Sequence, residues 1–213
     1  MKKLDLTNVT ASEEGSFDSL PDGAYACIIK EVNDNPSREY FDVVFDIVAG
    51  EHEGYFSTAF YADKPYAHSL IFSYKDAALP MLKGRLNIIS DCNTGFDAIA
   101  AVNGGQEQLL VGKVMGVVFA KQEYFNRKTM KFEVGEYNKP TRLCRLTALE
   151  DENNKSPKPV MLNEKGKIKA LEYAKSHGCN SIGDPASWLK SYEAGAFDSA
   201  PADAYNGPVP FDM

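Results

Sequence analysis

Hydrophobic and polar residues alternate most clearly between Tyr40 and Ala49, where Phe41, Val43, Phe45 and Ile47 interleave with Tyr40, Asp42, Val44 and Asp46. A period of two is that of a strand with one face in a core and the other toward water. Upstream, Leu20-Pro21-Asp22-Gly23 reads as a turn, because proline presets φ and glycine tolerates positive φ. Ala24 to Val32 then reads as a strand with Tyr25, Cys27 and Ile29 on one face, and Asn33 to Ser37 as a loop. After the turn Gly50-Glu51-His52-Glu53-Gly54, the stretch Tyr55 to Tyr61 reads as a third strand, completing a β-meander. The spacing then changes. Ala78, Leu82 and Leu86 lie four apart with Ile89 three further on, which predicts a helix over Tyr74 to Ile89 with Pro80 in its first turn. Asn93-Thr94-Gly95 ends it, and Phe96 to Val102 predicts a second short helix. Leu109 to Tyr124 is a long, apolar, β-branched run; Asn126-Arg127-Lys128 reads as a hairpin tip; Met130, Phe132 and Val134 alternate with Lys131 and Glu133. Thr141 to Leu149 alternates weakly as a last strand.

Five or six strands with a helix before the last pair make the chain mainly β with helical additions. The order fits a five-stranded barrel of the oligonucleotide-binding (OB) kind with a helical insertion. A split β-sandwich has the same pattern, and periodicity does not separate the two. After Leu149, Glu150 to Pro157 reads as a linker by composition. Glu164 to His177 predicts a helix with a thin apolar side (Ile168, Leu171, Ala174), and Pro185 to Glu193 a second, forming a short C-terminal helical pair. From Gly195 the chain has no periodicity, as expected of a disordered tail. The expected organisation is a barrel with an N-terminal arm over 1–149, a linker and helical region over 150–195, and an acidic tail with a hydrophobic tip over 196–213.

Charge changes the picture. The chain carries a net −7, which taken alone argues against nucleic acid. Its distribution is uneven: residues 1–60 carry 12 acids against 4 bases, whereas residues 113–149 carry 8 bases against 3 acids. One contiguous basic block therefore lies in an acidic chain. That block also holds rings. Lys121, Tyr124, Phe125, Arg127, Lys128, Lys131 and Phe132 fall within a dozen residues. A single strand needs cations along its backbone and flat rings under its bases, each stack giving about 1–3 kcal/mol whatever the base. The candidate DNA-binding set is Lys113, Lys121, Tyr124, Phe125, Arg127, Lys128 and Lys131, extended by Arg142 and Arg145 and by Phe60 and Tyr61 from the predicted third strand. Tyr124 and Phe125 are adjacent, so in a strand one of them faces outward.

Other chemistry finds little support. The longest apolar run, Val114 to Ala120, is far short of the ~20 residues of a membrane span. Acidic residues stand where a signal peptide would be apolar, so the expected location is a bacterial cytoplasm. Cys27, Cys92, Cys144 and Cys179 have no CxxC or CxxH spacing, so they read as buried thiols and no metal or other cofactor is expected. No nucleophile elbow, phosphate loop or His-Glu-x-x-His occurs, so a non-enzyme is expected. Asp42 and Asp46 lie about 13 Å apart along a strand, too far to share a metal. Asp63, His68 and Asp91 are left as a trio whose meeting only a structure can decide.

Two resemblances add to this. The end of the chain, Pro208-Val209-Pro210-Phe211-Asp212, holds an apolar tip between prolines and beside acids. It resembles the tip of bacterial single-stranded-DNA-binding proteins, although here Asp212 and Met213 follow the phenylalanine. The resemblance implies recruitment of replication and recombination proteins through that tip. The stretches Phe17 to Tyr25, Phe45 to Gly54, and Leu110-Val111-Gly112-Lys113 with Glu123-Tyr124 are similar to a phage and prophage protein family with the pattern Leu-Pro-x-Gly-x-Tyr. It covers roughly residues 17–147 and implies an OB barrel that binds single-stranded DNA. The alternatives are a protein–protein adaptor on the same barrel and, behind it, a nuclease accessory protein. A homo-oligomer is compatible with this class, with no interface legible in the sequence.

Overall fold

The computed structural model of the protein describes residues 19–177. The second predicted C-terminal helix, Cys179 and the tail lie outside the described residues. Five antiparallel strands form one nearly closed barrel: β1 (Gly23–Asn35), β2 (Tyr40–Ile47), β3 (Ser69–Ser73), β4 (Val114–Ala120) and β7 (Lys139–Cys144). They lie in the order β3-β2-β1-β4-β7, and β3 approaches β7 to close the ring. This is the OB arrangement, with the helix α1 (Leu79–Cys92) inserted between the third and fourth barrel strands. The remaining elements are α2 (Ala98–Asn103), a separate hairpin of β5 (Glu123–Asn126) and β6 (Lys131–Val134), α3 (Glu152–Lys155) and α4 (Glu164–Ser176).

β1 serves two neighbours. Its first half pairs with β4 over Gly23–Ile28, and its later part with β2 from Cys27 to Asn35. The register with β2 shifts between Ile29 and Glu31, a bulge that lets the strand bend around the barrel. The alternation in β2 puts Phe41, Val43, Phe45 and Ile47 in the core, all at most 2% exposed. Phe41 stacks on Phe72 at 5.3 Å and Phe45 meets Phe119 edge-on at 6.2 Å. Each such ring contributes roughly 1.5–3 kcal/mol by leaving water.

The barrel is plugged at both ends. At one, Leu82, Leu86 and Ile89 of α1 enter the core as their spacing predicts, with Pro80 in the helix's first turn. Asn93 ties the end of α1 to β4: its amide donates to the Val114 carbonyl and its side-chain oxygen accepts from the Val114 N–H. At the other end the plug is aromatic and comes from the β2–β3 connection. The predicted third strand over Tyr55 to Tyr61 is not a strand. It is a 3-10 turn (Tyr55–Ser57) followed by further turns, and the third strand is Ser69–Ser73. The cause is the Asp46 carboxylate. It is 3% exposed and accepts from the Ile47 and Phe56 N–H groups at 2.8 and 2.9 Å and from the Ser57 hydroxyl. This caps the turn and sets Phe56 flat between His68 (4.8 Å) and Phe119 (5.7 Å).

The apolar run from Leu109 is likewise divided, into a 3-10 turn over Glu107–Leu110, β4, and β5. β4 is buried on both faces. Met115, Val117 and Phe119 face the core, while Val118 and Ala120 on the outer face are also fully buried. What covers them follows β7: the stretch read as a linker holds α3, which lies against β1, and its buried Asn154 donates to the Ala148 carbonyl at 2.7 Å. Gly116 makes this covering fit. A Cβ there would lie 2.6 Å from Cys144 Sγ and 2.7 Å from the Cys144 carbonyl oxygen. Gly116→Ala is expected to lower stability by about 1–3 kcal/mol in urea unfolding, since the backbone of β7 must give way. Gly84→Ala, on α1 with nothing within 4 Å, is expected to raise it by up to about 1 kcal/mol through helix propensity.

Candidate nucleic-acid interface

The β5–β6 hairpin occupies the connection between the fourth and fifth barrel strands, the position from which OB barrels reach over their ligand. Its register pairs Tyr124 with Glu133 and Phe125 with Phe132, so the two pairs point to opposite faces.

The outer face carries Tyr124, which is 37% exposed. Its hydroxyl donates to Glu133 Oε2 at 3.1 Å, which fixes the ring on the hairpin surface. Asn126 and Thr129 donate to the same carboxylate at 2.8 and 2.6 Å. Those two hydrogen bonds hold the Glu133 carboxyl below its ordinary value, and the bond to Glu133 raises the Tyr124 phenol above its own. A lowered carboxyl contributes stability above its unfolded value and loses it as the pH falls through the folded one. The turn therefore holds at neutral pH. Asn126 also accepts from the Lys128 N–H at 2.9 Å, closing a tip on which Arg127 and Lys128 are exposed. Lys121, Lys128 and Lys131 project into solvent around it.

The inner face is taken. Phe125 and Phe132 pack together at 5.2 Å, and Tyr173 of α4 meets Phe125 edge-on at 6.4 Å. The Arg127 guanidinium lies 4.5 Å from the centre of the Tyr173 ring, and Lys167 lies over Phe132. Glu123 accepts from the Leu162 N–H at 3.0 Å and pairs with Lys167 at 3.4 Å, both side chains mostly buried. Gln122 and Val160 form a parallel bridge that extends the hairpin. Asn163 caps α4 by accepting from Gly166 N–H at 2.8 Å, and the helix buries Ala170, Leu171 and Ala174. Ile168, read as part of the apolar side, is only half-buried.

The other sequence candidates separate into three places. Phe60 is exposed in the β2–β3 connection with Lys64 Nζ 3.4 Å above its ring. Tyr61 belongs to the aromatic plug: its hydroxyl meets that of Tyr55 at 3.1 Å, and burial, then that bond, push the phenol up. Lys113 stands at the far end of β4, over the Phe96 ring. Arg142 and Arg145 lie on the covered flank, Arg142 donating to the Asn153 carbonyl at 3.0 Å and Arg145 pairing with Asp91 at 2.7 Å. The tip residues Pro208, Val209, Pro210, Phe211 and Asp212 lie outside the described residues. Asp63, His68 and Asp91 do not form a cluster: among the described residues no group of three or more His, Cys, Asp or Glu side chains is placed to hold a metal ion. His68 instead donates through Nδ1 to the Phe45 carbonyl at 2.6 Å. Among the described residues no helix is long and apolar enough to cross a membrane. No protein-family model matches the chain, and none of the curated proteins is similar to it.

Sequence reasoning missed Tyr66 and Tyr137, which are 65% and 63% exposed. A signal was present: each is a ring among turn residues, Tyr66 after Pro65 and Tyr137 between Glu136 and Asn138. It also missed α4 as the cover of the hairpin. Glu123→Ala leaves the Leu162 N–H and Lys167 without that partner, at a cost of about 1.5–3 kcal/mol. Amide exchange is expected to quicken over residues 160–176 and to stay unchanged in β1 and β2.

Proposed function

We propose that this barrel binds single-stranded DNA without regard to sequence, in the replication or recombination of phage or prophage DNA. An OB-like barrel is compatible with nucleic-acid binding. The observation that carries the finer reading is the β5–β6 hairpin: a ring held outward by its own hydroxyl at Glu133, beside the cations of Arg127, Lys128 and Lys131. A ring fixed before binding loses little freedom when a base stacks on it. Backbone cations placed beside it neutralise phosphates and leave the base edges unread, which suits sequence-independent binding. The proline-bracketed tip over 208–212 then recruits replication or recombination proteins.

A protein–protein adaptor is the second reading. What favours it is the cover over Phe125 and Phe132 by α4, which leaves the hairpin with fewer free rings than its sequence offers.

Titration of fluorescent oligo-dT and a matched duplex at two salt concentrations separates the two. Single-strand binding is expected to prefer oligo-dT and to weaken with salt, with Tyr124→Ala costing about tenfold. Replacing Lys128 or Lys131 by alanine is expected to reduce the salt slope by about 0.7 for each phosphate no longer neutralised. Equal or negligible binding to both ligands rejects the DNA reading in favour of the adaptor. Removal of residues 196–213 is expected to tighten oligo-dT binding at low salt, since an acidic segment competes with phosphate for the same cations; unchanged affinity across a salt series rejects that competition.

A further inference from the structure

The exposed aromatic rings are not scattered. Among the described residues, Phe60, Tyr66, Tyr124 and Tyr137 are the exposed rings, and all four lie on two connections. One joins β2 to β3 and the other joins β4 to β7. Both leave the barrel at the same end. β2 finishes there at Ile47 and β4 at Ala120, while β3 and β7 start there, at Ser69 and Lys139. Because β3 approaches β7, the two connections are also neighbours around the rim. Of the exposed large aliphatics, Leu79, Leu109 and Val111 stand at the opposite end, beside α1 and the start of β4, and Val134 alone is on the hairpin. General surface hydrophobicity does not require every exposed ring to gather at one end.

The ring-bearing end is also where cations lie among the rings. Lys64 covers one face of Phe60, Lys139 follows Tyr137, and Lys121, Lys128 and Lys131 belong to the hairpin. Acids stand there too: Glu51, Glu53, Asp63 and Glu136, with Glu123 held by Lys167 and Glu133 held inside the hairpin. The end is thus mixed in charge, and rings rather than net charge distinguish it. Phe60 is positioned by an edge contact to Tyr61 at 4.9 Å, and Tyr61 is fixed in the plug that Asp46 organises.

We infer that single-stranded DNA crosses this end of the barrel, with Phe60, Tyr66 and Tyr137 as a second wall of stacking residues across from Tyr124. This rests on the single-strand reading above and deepens it. Rings carried on separate connections, each with open area, match a chain whose bases are splayed apart; a duplex keeps its base faces inside its own stack. The path also leaves Lys113, Arg142 and Arg145 aside, since those three lie at the far end of β4 or on the covered flank.

The test uses the full chain. Tyr66→Ala, Tyr137→Ala and their combination are titrated with oligo-dT, beside Tyr124→Ala and a Leu109→Ala/Val111→Ala control at the opposite end. Each ring removed from the second wall is expected to weaken binding about tenfold and the pair about a hundredfold, with the control unchanged. Wild-type protein irradiated on oligonucleotides bearing 5-iododeoxyuridine is expected to crosslink at the peptides containing Tyr66 and Tyr137, a readout that no variant's folding affects. If both variants bind within twofold of wild type and the crosslinks avoid those peptides while Tyr124→Ala still weakens binding, the second wall is wrong and the hairpin reading stands. If wild type does not bind oligo-dT, both fall.

Discussion

A carboxylate out of water must have its oxygens satisfied, or it costs several kcal/mol. Asp46 sits on the outer face of β2 at 3% exposure, and the groups that satisfy it belong to the chain ten and eleven residues on. That requirement folds the β2–β3 connection back onto the barrel. Once the connection is back, Phe56 lies between His68 and Phe119, and the mouth is closed. Tyr55 and Tyr61 are then trapped with their hydroxyls together, and Leu20 N–H donates to Tyr55 Oη, joining the approach to β1 to the same plug. The loop beyond Tyr61 has nowhere to go but outward, which is why Phe60 and Tyr66 are exposed where they are. One polar contact thus links strand pairing, core closure and the outer rim.

A second constraint comes from β4. A strand buried on both faces demands a covering layer, and close approach of that layer demands small side chains, here Gly116 and Ala120. The cover is the chain after β7. Having crossed β4, that chain arrives beside the hairpin, where Val160 pairs with Gln122 and α4 follows. Which face of the hairpin stays open is then settled: the face bearing Glu123, Phe125 and Phe132 receives α4, and the face bearing Tyr124 does not.

This is also where the sequence stopped being legible. Period-two alternation located β2 and period-four spacing located α1, because each element carries its own core face in local order. The barrel order followed from turns and from the helix between strands. Tyr55 to Tyr61 misled because aromatic residues favour strands on average, while the local outcome was decided by Asp46, distant in sequence. The true third strand, Ser69 to Ser73, offers only Leu70 and Phe72 as a buried pair, too short a pattern to compete. The adjacency of Tyr124 and Phe125 showed that one ring faces out, but naming it needed the location of α4, a contact across nearly fifty residues. Residues 150–157 read as a linker because their burial is carried by Asn154, a polar side chain whose carbonyl partner no composition reveals.

Charge and rings divide the labour in a way the chain's net −7 obscures. Between Lys121 and Lys139 there are five bases and three acids, and two of those acids are engaged within the fold, Glu123 by Lys167 and Glu133 by Tyr124, Asn126 and Thr129. An acid engaged in this way repels an approaching phosphate less than a free one, because its field is partly neutralised by its donors. The acids of the hairpin therefore do two things at once: they anchor the ring and the cover, and they give up much of their opposition to an anion. A surface built so needs no large positive excess to attract a single strand. It leaves affinity to the number of rings a strand can reach, and sequence preference to nothing more than the stacking strength of the bases themselves.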